Sequence, residues 1–241
     1  SVCGAHGKST TTAMLASLIE SCALIGAQSK EFKSNVRFAD TDLMVFEADE
    51  SDASFLNSNP HVAIVTNAEP EHMEYYDYDL DRFHDAYRSF LEMADKRIIN
   101  GEDPYLETLD IEATRLYPSK DISELVLEIR AGQPCTSFTL ANMGRFSVWG
   151  FGYHMAIDAS LAIMAARHET DLETIRKRLR NFAGIKKRFD IVHQAEGLVV
   201  IDDYGHHPTE IESTLDSIRT YARLAKLDET TTVWQPHKYS R

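Results

Sequence analysis

The sequence predicts an α/β protein. It would have a mainly parallel, twisted sheet flanked by helices, with a phosphate-binding loop and a small antiparallel insertion, followed by the start of a second Rossmann-like α/β domain. Three observations predict this. Short apolar runs, Leu43-Met44-Val45-Phe46 and His61-Val62-Ala63-Ile64-Val65-Thr66, end abruptly in polar residues, as strands buried on both faces of a parallel sheet do. Segments with helical spacing alternate with them, which is what crossover connections require. Ahead of both, Cys3-Gly4-Ala5-His6-Gly7-Lys8-Ser9-Thr10 runs from an apolar start through a glycine-punctuated turn into a helical pattern.

That first stretch reads as a phosphate-binding loop. Gly4 and Gly7 let the backbone turn so that amide N–H groups point at phosphate oxygens, and the following helix adds the positive end of its dipole. Lys8 would reach the outer phosphates, and Ser9 or Thr10 would offer a hydroxyl to a magnesium ion. The usual signature has a glycine five residues before Gly7, where Val2 stands, so the loop is a shortened variant. A glycine-rich strand-to-helix turn with one exposed lysine is the plainer alternative. On that view of Lys8 as exposed, Lys8→Ala should abolish turnover and leave the fold nearly intact.

The remaining elements follow in order. Ala13, Met14, Ala16, Leu18 and Ile19 space a helix from Ser9 to about Ser21, joined almost directly to Leu24-Ile25-Gly26. The two apolar runs come next, the first ending in Glu47-Ala48-Asp49-Glu50-Ser51-Asp52 and the second in Asn67. Leu80, Phe83, Tyr87, Phe90, Leu91 and Ala94 form one face of a long helix, and Lys96 to Asn100 reads as a strand. From Ala113 to Trp149, β-favouring pieces (Thr114 to Tyr117, Leu125 to Ile129, Ser137 to Leu140, Phe146 to Trp149) predict the partly antiparallel insertion. His154 to His168 is apolar all round and predicts a buried helix, and Asp171 to Phe182 an amphipathic one. After the basic trio Lys186-Lys187-Arg188, a new unit is expected. It comprises strands Phe189 to His193 and Leu198 to Ile201, a helix from Pro208 to about Leu224, and a strand Thr231 to Gln235.

Composition narrows the function. With 25 basic and 38 acidic residues among 241, the formal net charge is -13, which disfavours nucleic acid as a partner and makes any nucleotide site a local basic island. Cys3, Cys22 and Cys135 show neither disulfide nor metal spacing, so a reduced, cytoplasmic location is expected. No apolar run is long enough to insert into a membrane. Oligomeric state is not legible in the sequence.

Six segments together resemble the Mur ligase family. Gly4 to Thr10, Glu47 to Phe55 (EADESDASF) and Asn67-Ala68-Glu69-Pro70-Glu71-His72 look like its central ATPase domain. Lys187-Arg188-Phe189-Asp190, Asp202 to Glu210 (DDYGHHPTE) and Gln235 to Arg241 (QPHKYSR) look like the opening of its C-terminal domain. The wording is nearest the branch that joins L-alanine to UDP-N-acetylmuramate in peptidoglycan synthesis. The resemblance implies a central ATP-binding domain over residues 1–185 and the beginning of an amino-acid-binding domain over 186–241. It also implies a UDP-binding domain before the loop and further chain after Arg241, so that the isolated piece would bind nucleotide without ligating.

Residue roles follow from the resemblance. Glu47, with Ser9 and His72, would hold Mg2+, although a solvated strand-end acid and a structural histidine read the same way on residues alone. Gly4, Ala5, His6, Gly7, Lys8, Ser9 and Thr10 would cradle ATP. Lys187 and Arg188 would lie near its phosphates and the domain hinge, and Asp203 near the ribose. His206 and Arg241 would stand near the incoming alanine and the acyl phosphate, with His237 and Lys238 assisting. Lys8, His72, Arg188, His206 and Arg241 are thus the candidate catalytic set. Asp49, Glu50 and Asp52 could be ligands or bystanders. Relatives carry asparagines at Met155 and Asp158 and an arginine at Lys238. Ionised Asp158 can accept a hydrogen bond from an adenine amino group but cannot donate one. A muropeptide-recycling ligase, another member of the family, or a nucleotide-binding regulatory module without ligase activity are the alternatives.

Overall fold

The structure, a computed structural model, describes residues 1–206 and 208–235, the side chain of Thr209 excepted. Strand β1 (Val2–Cys3) leads through the glycine loop into α1 (Lys8–Leu18). The chain then forms β2 (Cys22–Leu24), β3 (Val36–Arg37), β4 (Met44–Phe46), β5 (Val62–Val65), α2 (Leu80–Met93), β6 (Lys96–Asn100) and β7 (Thr114–Leu116). One sheet runs β1-β5-β6-β7, all parallel, and a second runs β3-β2-β4, with β2 and β4 parallel and β3 antiparallel. A parallel bridge from Val2 to Glu47 sews the two sheets together, so β1 lies between β4 and β5. The loop after β1 is therefore flanked by the carboxyl ends of two neighbouring strands, where open parallel sheets collect ligands.

Burial on both faces explains the apolar runs. Val2, Ile64 and Ile98 point into a core shared with α1 and the later helices. Their neighbours Cys3, Val65 and Ile99 point into a second core, filled by Phe83, Tyr87, Phe90 and Leu91 of α2 and by Phe55. α2 starts where Asp79 accepts hydrogen bonds from the backbone N–H groups of Asp81 and Arg82. β4 is less buried than its sequence predicts: only Val45 is covered, and Met44 is 54% exposed.

After α3 (Pro118–Asp121), strands β8 (Ile122–Arg130), β9 (Gln133–Leu140) and β10 (Gly144–Trp149) form the antiparallel insertion, in the order β10-β9-β8. Its expected first piece is a correction. Thr114 to Leu116 is not part of it but pairs with β6 as the parallel edge strand β7. Helix α4 (Tyr153–Ala166) is buried nearly all round, and α5 (Leu172–Asn181) is capped by Asp171. Helix α1 ends at Leu18 rather than Ser21, because Ile19 is already extended, and this supplies the short connector to β2.

The last unit is an antiparallel hairpin, β11 (Asp190–Ala195) with β12 (Leu198–Asp202), followed by α6 (Pro208–Ala225), which opens at Pro208 as predicted. The expected strand over Thr231 to Gln235 is absent. No strand among the described residues pairs with it, and Val233 and Trp234 are exposed. Among the described residues no helix is long and apolar enough to cross a membrane.

Candidate nucleotide site

The loop is shaped by two glycines in backbone conformations that residues with side chains rarely adopt. Gly4 has φ 137, and a Cβ there would meet Thr66 Oγ1 at 2.1 Å and the Asn67 carbonyl at 2.9 Å. Gly7 has φ 81, and its Cβ would lie 2.5 Å from Asp158 Oδ1. Between them, His6 is clamped by the end of β5: its N–H donates to Asn67 Oδ1 at 3.2 Å, and its carbonyl accepts from Asn67 Nδ2 at 2.9 Å. Gly7 is the N-cap of α1 but has no side chain to cap it, and no acid stands in the first turn. The positive end of the helix is thus left for an anion.

Lys8 is not the exposed lysine that the sequence suggests. Its side chain is 15% exposed, and Nζ lies 2.8 Å from Oε1 of Glu50, whose side chain is fully buried; it also donates to the Ala5 carbonyl at 3.3 Å. Burial opposes charge on both partners. It pushes the Glu50 carboxyl up against the pull of Lys8, while Glu50 outweighs burial and holds the Lys8 ammonium above its ordinary range. Glu50 is further fixed by Tyr76, whose hydroxyl donates to its backbone carbonyl. Nothing in the spacing of the acidic run singles out Glu50, because its role comes from a partner 42 residues away.

Glu47 sits at the tip of β4, beside β1, with Oε2 accepting the Gly26 N–H at 2.7 Å. Asp49 and Asp52 are exposed and accept the backbone N–H groups of Ser51 and Ser54, which makes them turn formers here. His72 adopts φ 51 in the segment after β5. Glu47, His72 and Ser9 line one cavity. No group of three His, Cys, Asp or Glu side chains able to hold an ion occurs among the described residues. Ser9 and Glu47 offer hard oxygen donors beside a phosphate cradle, which fit magnesium, an ion that typically takes one or two protein ligands and completes its shell with phosphate oxygens and water, whereas His72 offers a nitrogen.

The second unit faces this loop. Lys187 and Phe189, at φ 60 and φ 42, bend the chain sharply on either side of Arg188. Arg188 Nη1 donates to Glu210 Oε1 at 2.9 Å. Asp203 accepts the N–H groups of Phe189 and Gly205, each at 2.7 Å, and so ties the two turns together. Lys187 lies over the Tyr204 ring. Asp158, expected from the resemblance near the base, has its carboxyl against Gly7 and beside Thr11, buried on α4. Burial pushes it up to about 7, against the pull of Arg188 and His6.

One cavity of about 960 Å³ collects nearly every predicted residue: 5–10, Glu47, His72, Asp158, Lys187, Arg188, Asp203 and His206. Gly4 lies just behind its wall, against Thr66. Glu50, under Lys8, and Glu210, on α6, are the two additions. Arg241, His237 and Lys238 lie outside the described residues.

Fold and site together define a phosphate-loop α/β protein whose cavity is walled by a second unit. Comparison with known proteins narrows this. The pattern of the Mur ligase middle domain matches residues 2–124, and that of the Mur ligase, glutamate ligase domain, matches residues 187–233. The chain belongs to the Mur ligase family. It is 60% identical over 240 residues to a UDP-N-acetylmuramate--L-alanine ligase of Campylobacter curvus, covering 100% of this chain and 55% of the relative. It is 56% identical over 243 residues to the protein of the same name from Helicobacter pylori strain P12, covering 100% of this chain and 54% of that one. A crystal structure of UDP-N-acetylmuramate-alanine ligase from Thermotoga maritima superposes with a TM-score of 0.78 at 25% identity, covering 92% of this chain and 54% of that one. The chain thus spans about half the length of these relatives.

Proposed function

We propose that the whole protein is an ATP-dependent, ADP-forming ligase that joins L-alanine to the lactyl carboxylate of UDP-N-acetylmuramate in cytoplasmic peptidoglycan precursor synthesis. Residues 1–185 would be its central ATP-binding domain and 186–241 the beginning of its amino-acid-binding domain. The observation that carries this reading is the cavity itself: an uncapped helix start with a poised lysine on one wall, and Arg188 with His206 on a wall contributed by another unit.

The chemistry asks mainly for charge management. A carboxylate oxygen of the lactyl group attacks the γ-phosphorus, the bond to the ADP oxygen breaks, and an acyl phosphate forms. The alanine amine then attacks the acyl carbon, inorganic phosphate leaves, and the nitrogen loses a proton. The backbone N–H groups at the start of α1 hold phosphate oxygens, and Lys8 leaves Glu50 for the outer phosphates. Lys187 and Arg188 face the phosphoryl group as it moves, Asp203 lies on the ribose side, and His206 stands near the alanine and the acyl phosphate, the role that the family resemblance also gives Arg241, outside the described residues. Ser9, Glu47 and His72 would hold Mg2+, which when bound offsets negative charge between phosphate oxygens.

The test is phosphate release by the full-length protein. Release should require ATP, UDP-N-acetylmuramate and L-alanine together, and a panel of amino acids and peptides should favour L-alanine. Release independent of either acceptor would refute the ligase reading, and preference for a peptide would move the protein to a recycling branch. The 241-residue chain alone should bind nucleotide and ligate nothing.

A further inference from the structure

Glu210 has no part in the mechanism above, yet three segments converge on its carboxylate. It stands in the first turn of α6 with its side chain 16% exposed. Oε1 accepts from Arg188 Nη1 at 2.9 Å, and Oε2 accepts the His206 N–H at 3.2 Å. From the opposite wall, His6 Nδ1 of the phosphate loop lies 3.8 Å from Oε1, while His6 Nε2 lies 3.2 Å from Glu69. A single carboxylate therefore links the loop before α1, the basic turn before β11 and the turn before α6.

The geometry suits orientation better than mere cohesion. An arginine on a flexible stem gains direction when one nitrogen is fixed, and a guanidinium has five N–H donors, so one bond to Glu210 leaves the others for a ligand. Among the described residues, the Arg188 guanidinium donates to Glu210, and both side chains line the cavity. Asp203 already fixes the backbone of this turn through Phe189 and Gly205, so Glu210 is not needed for the turn itself. We infer that Glu210 is a positioning residue of the proposed ligation: it aims Arg188 across the phosphate loop and registers the second unit against His6. The inference rests on the ligase reading above.

The experiment is a double-mutant cycle in the full-length protein, using Glu210→Gln, Arg188→Lys and the pair, assayed by phosphate release that depends on both acceptors. Glu210→Gln should lower kcat about 10- to 100-fold, the size of effect that misplacing a catalytic group produces, and leave KM for ATP within about threefold. Because Glu210 acts through Arg188, the double variant should be within about threefold of the weaker single variant. A kcat for Glu210→Gln within about threefold of wild type, an effect on KM alone, or defects that multiply in the pair would each overturn the inference. Thermal melting checks the fold. Should Glu210→Gln not fold, Glu210→Asp, which keeps the charge but shortens the reach, runs the same cycle with the same criteria. A wild-type protein without acceptor-dependent release fails the ligase reading itself, whereas an active wild type with an unaffected Glu210→Gln fails the inference alone.

Discussion

Replacing Lys8 with alanine should destabilise the fold as well as silence the site, contrary to what an exposed loop lysine would do. The variant leaves the Glu50 carboxylate fully buried with its cation gone. Removing one partner of a buried pair costs about 3–5 kcal/mol. An independent route gives a similar figure. Left alone, Glu50 takes up a proton, and keeping neutral a carboxyl that the unfolded chain ionises near pH 4.3 costs about 1.4 kcal/mol per pH unit up to its folded value, so at most about 3.7 kcal/mol at pH 7. For a chain of this size that corresponds to a fall of about 7–15 °C in melting temperature.

The sign of the pH dependence follows from the same shift. Glu50 has a raised value in the folded state, so the variant's deficit is small below the unfolded value and grows as pH rises toward the folded one. At pH 5 it should be at most about 1 kcal/mol. Thermal denaturation at the two pH values is the assay, with Lys8→Met combined with Glu50→Gln as the rescue, since that pair removes both charges and keeps the volume. If Lys8→Ala melted within about 2 °C of the parent at both pH values, or the paired variant recovered nothing, the buried-pair account would be wrong.

Gly7→Ala forces a side chain into φ 81, at a backbone cost of about 1–2 kcal/mol, and drives a Cβ onto Asp158; nucleotide affinity by titration should fall at least about tenfold, and unchanged affinity would discount the cradle. Asp158, pushed up to about 7 by burial, contributes stability that is present below its unfolded value and lost as pH rises through about 7. Asp158→Asn should therefore raise the melting temperature more at pH 8 than at pH 5, and an equal effect at both would remove the titration from the argument. Glu47→Ala should leave metal-free nucleotide binding within about threefold and abolish most of the gain that magnesium brings, which titration with and without the ion measures.

The parallel sheet was legible because both of its faces are covered, so its strands read as unbroken apolar runs split residue by residue between two cores. The edge was not. β7 has three residues, with Thr114 exposed and Leu116 buried, too short for a period to separate it from the antiparallel strands that follow. The terminal strand failed for a related reason, since alternation in Thr231 to Gln235 says nothing of whether a neighbour is there to take its hydrogen bonds.

The site divides along the same line. The phosphate loop is contiguous chemistry, and its glycines, lysine and hydroxyls can be named from eight residues. Glu50 and Glu210 are two acids among 38, and their place in the site comes from the cavity cations they meet, Lys8 and Arg188, which are 42 and 22 residues away. Their placement bears on how a chain of net charge -13 can hold a polyphosphate at all. The two cations best placed to meet one are each already neutralised by a carboxylate from a different element. A triphosphate entering the cavity must draw Lys8 away from Glu50 as well as satisfy the helix start, while Arg188 keeps its bond to Glu210 and meets the ligand with its remaining N–H donors. Entry becomes easier when a divalent cation arrives with the phosphates. The local basic island required by composition is therefore one masked cation, Lys8, which the ligand uncovers, beside a second, Arg188, which its carboxylate holds in place.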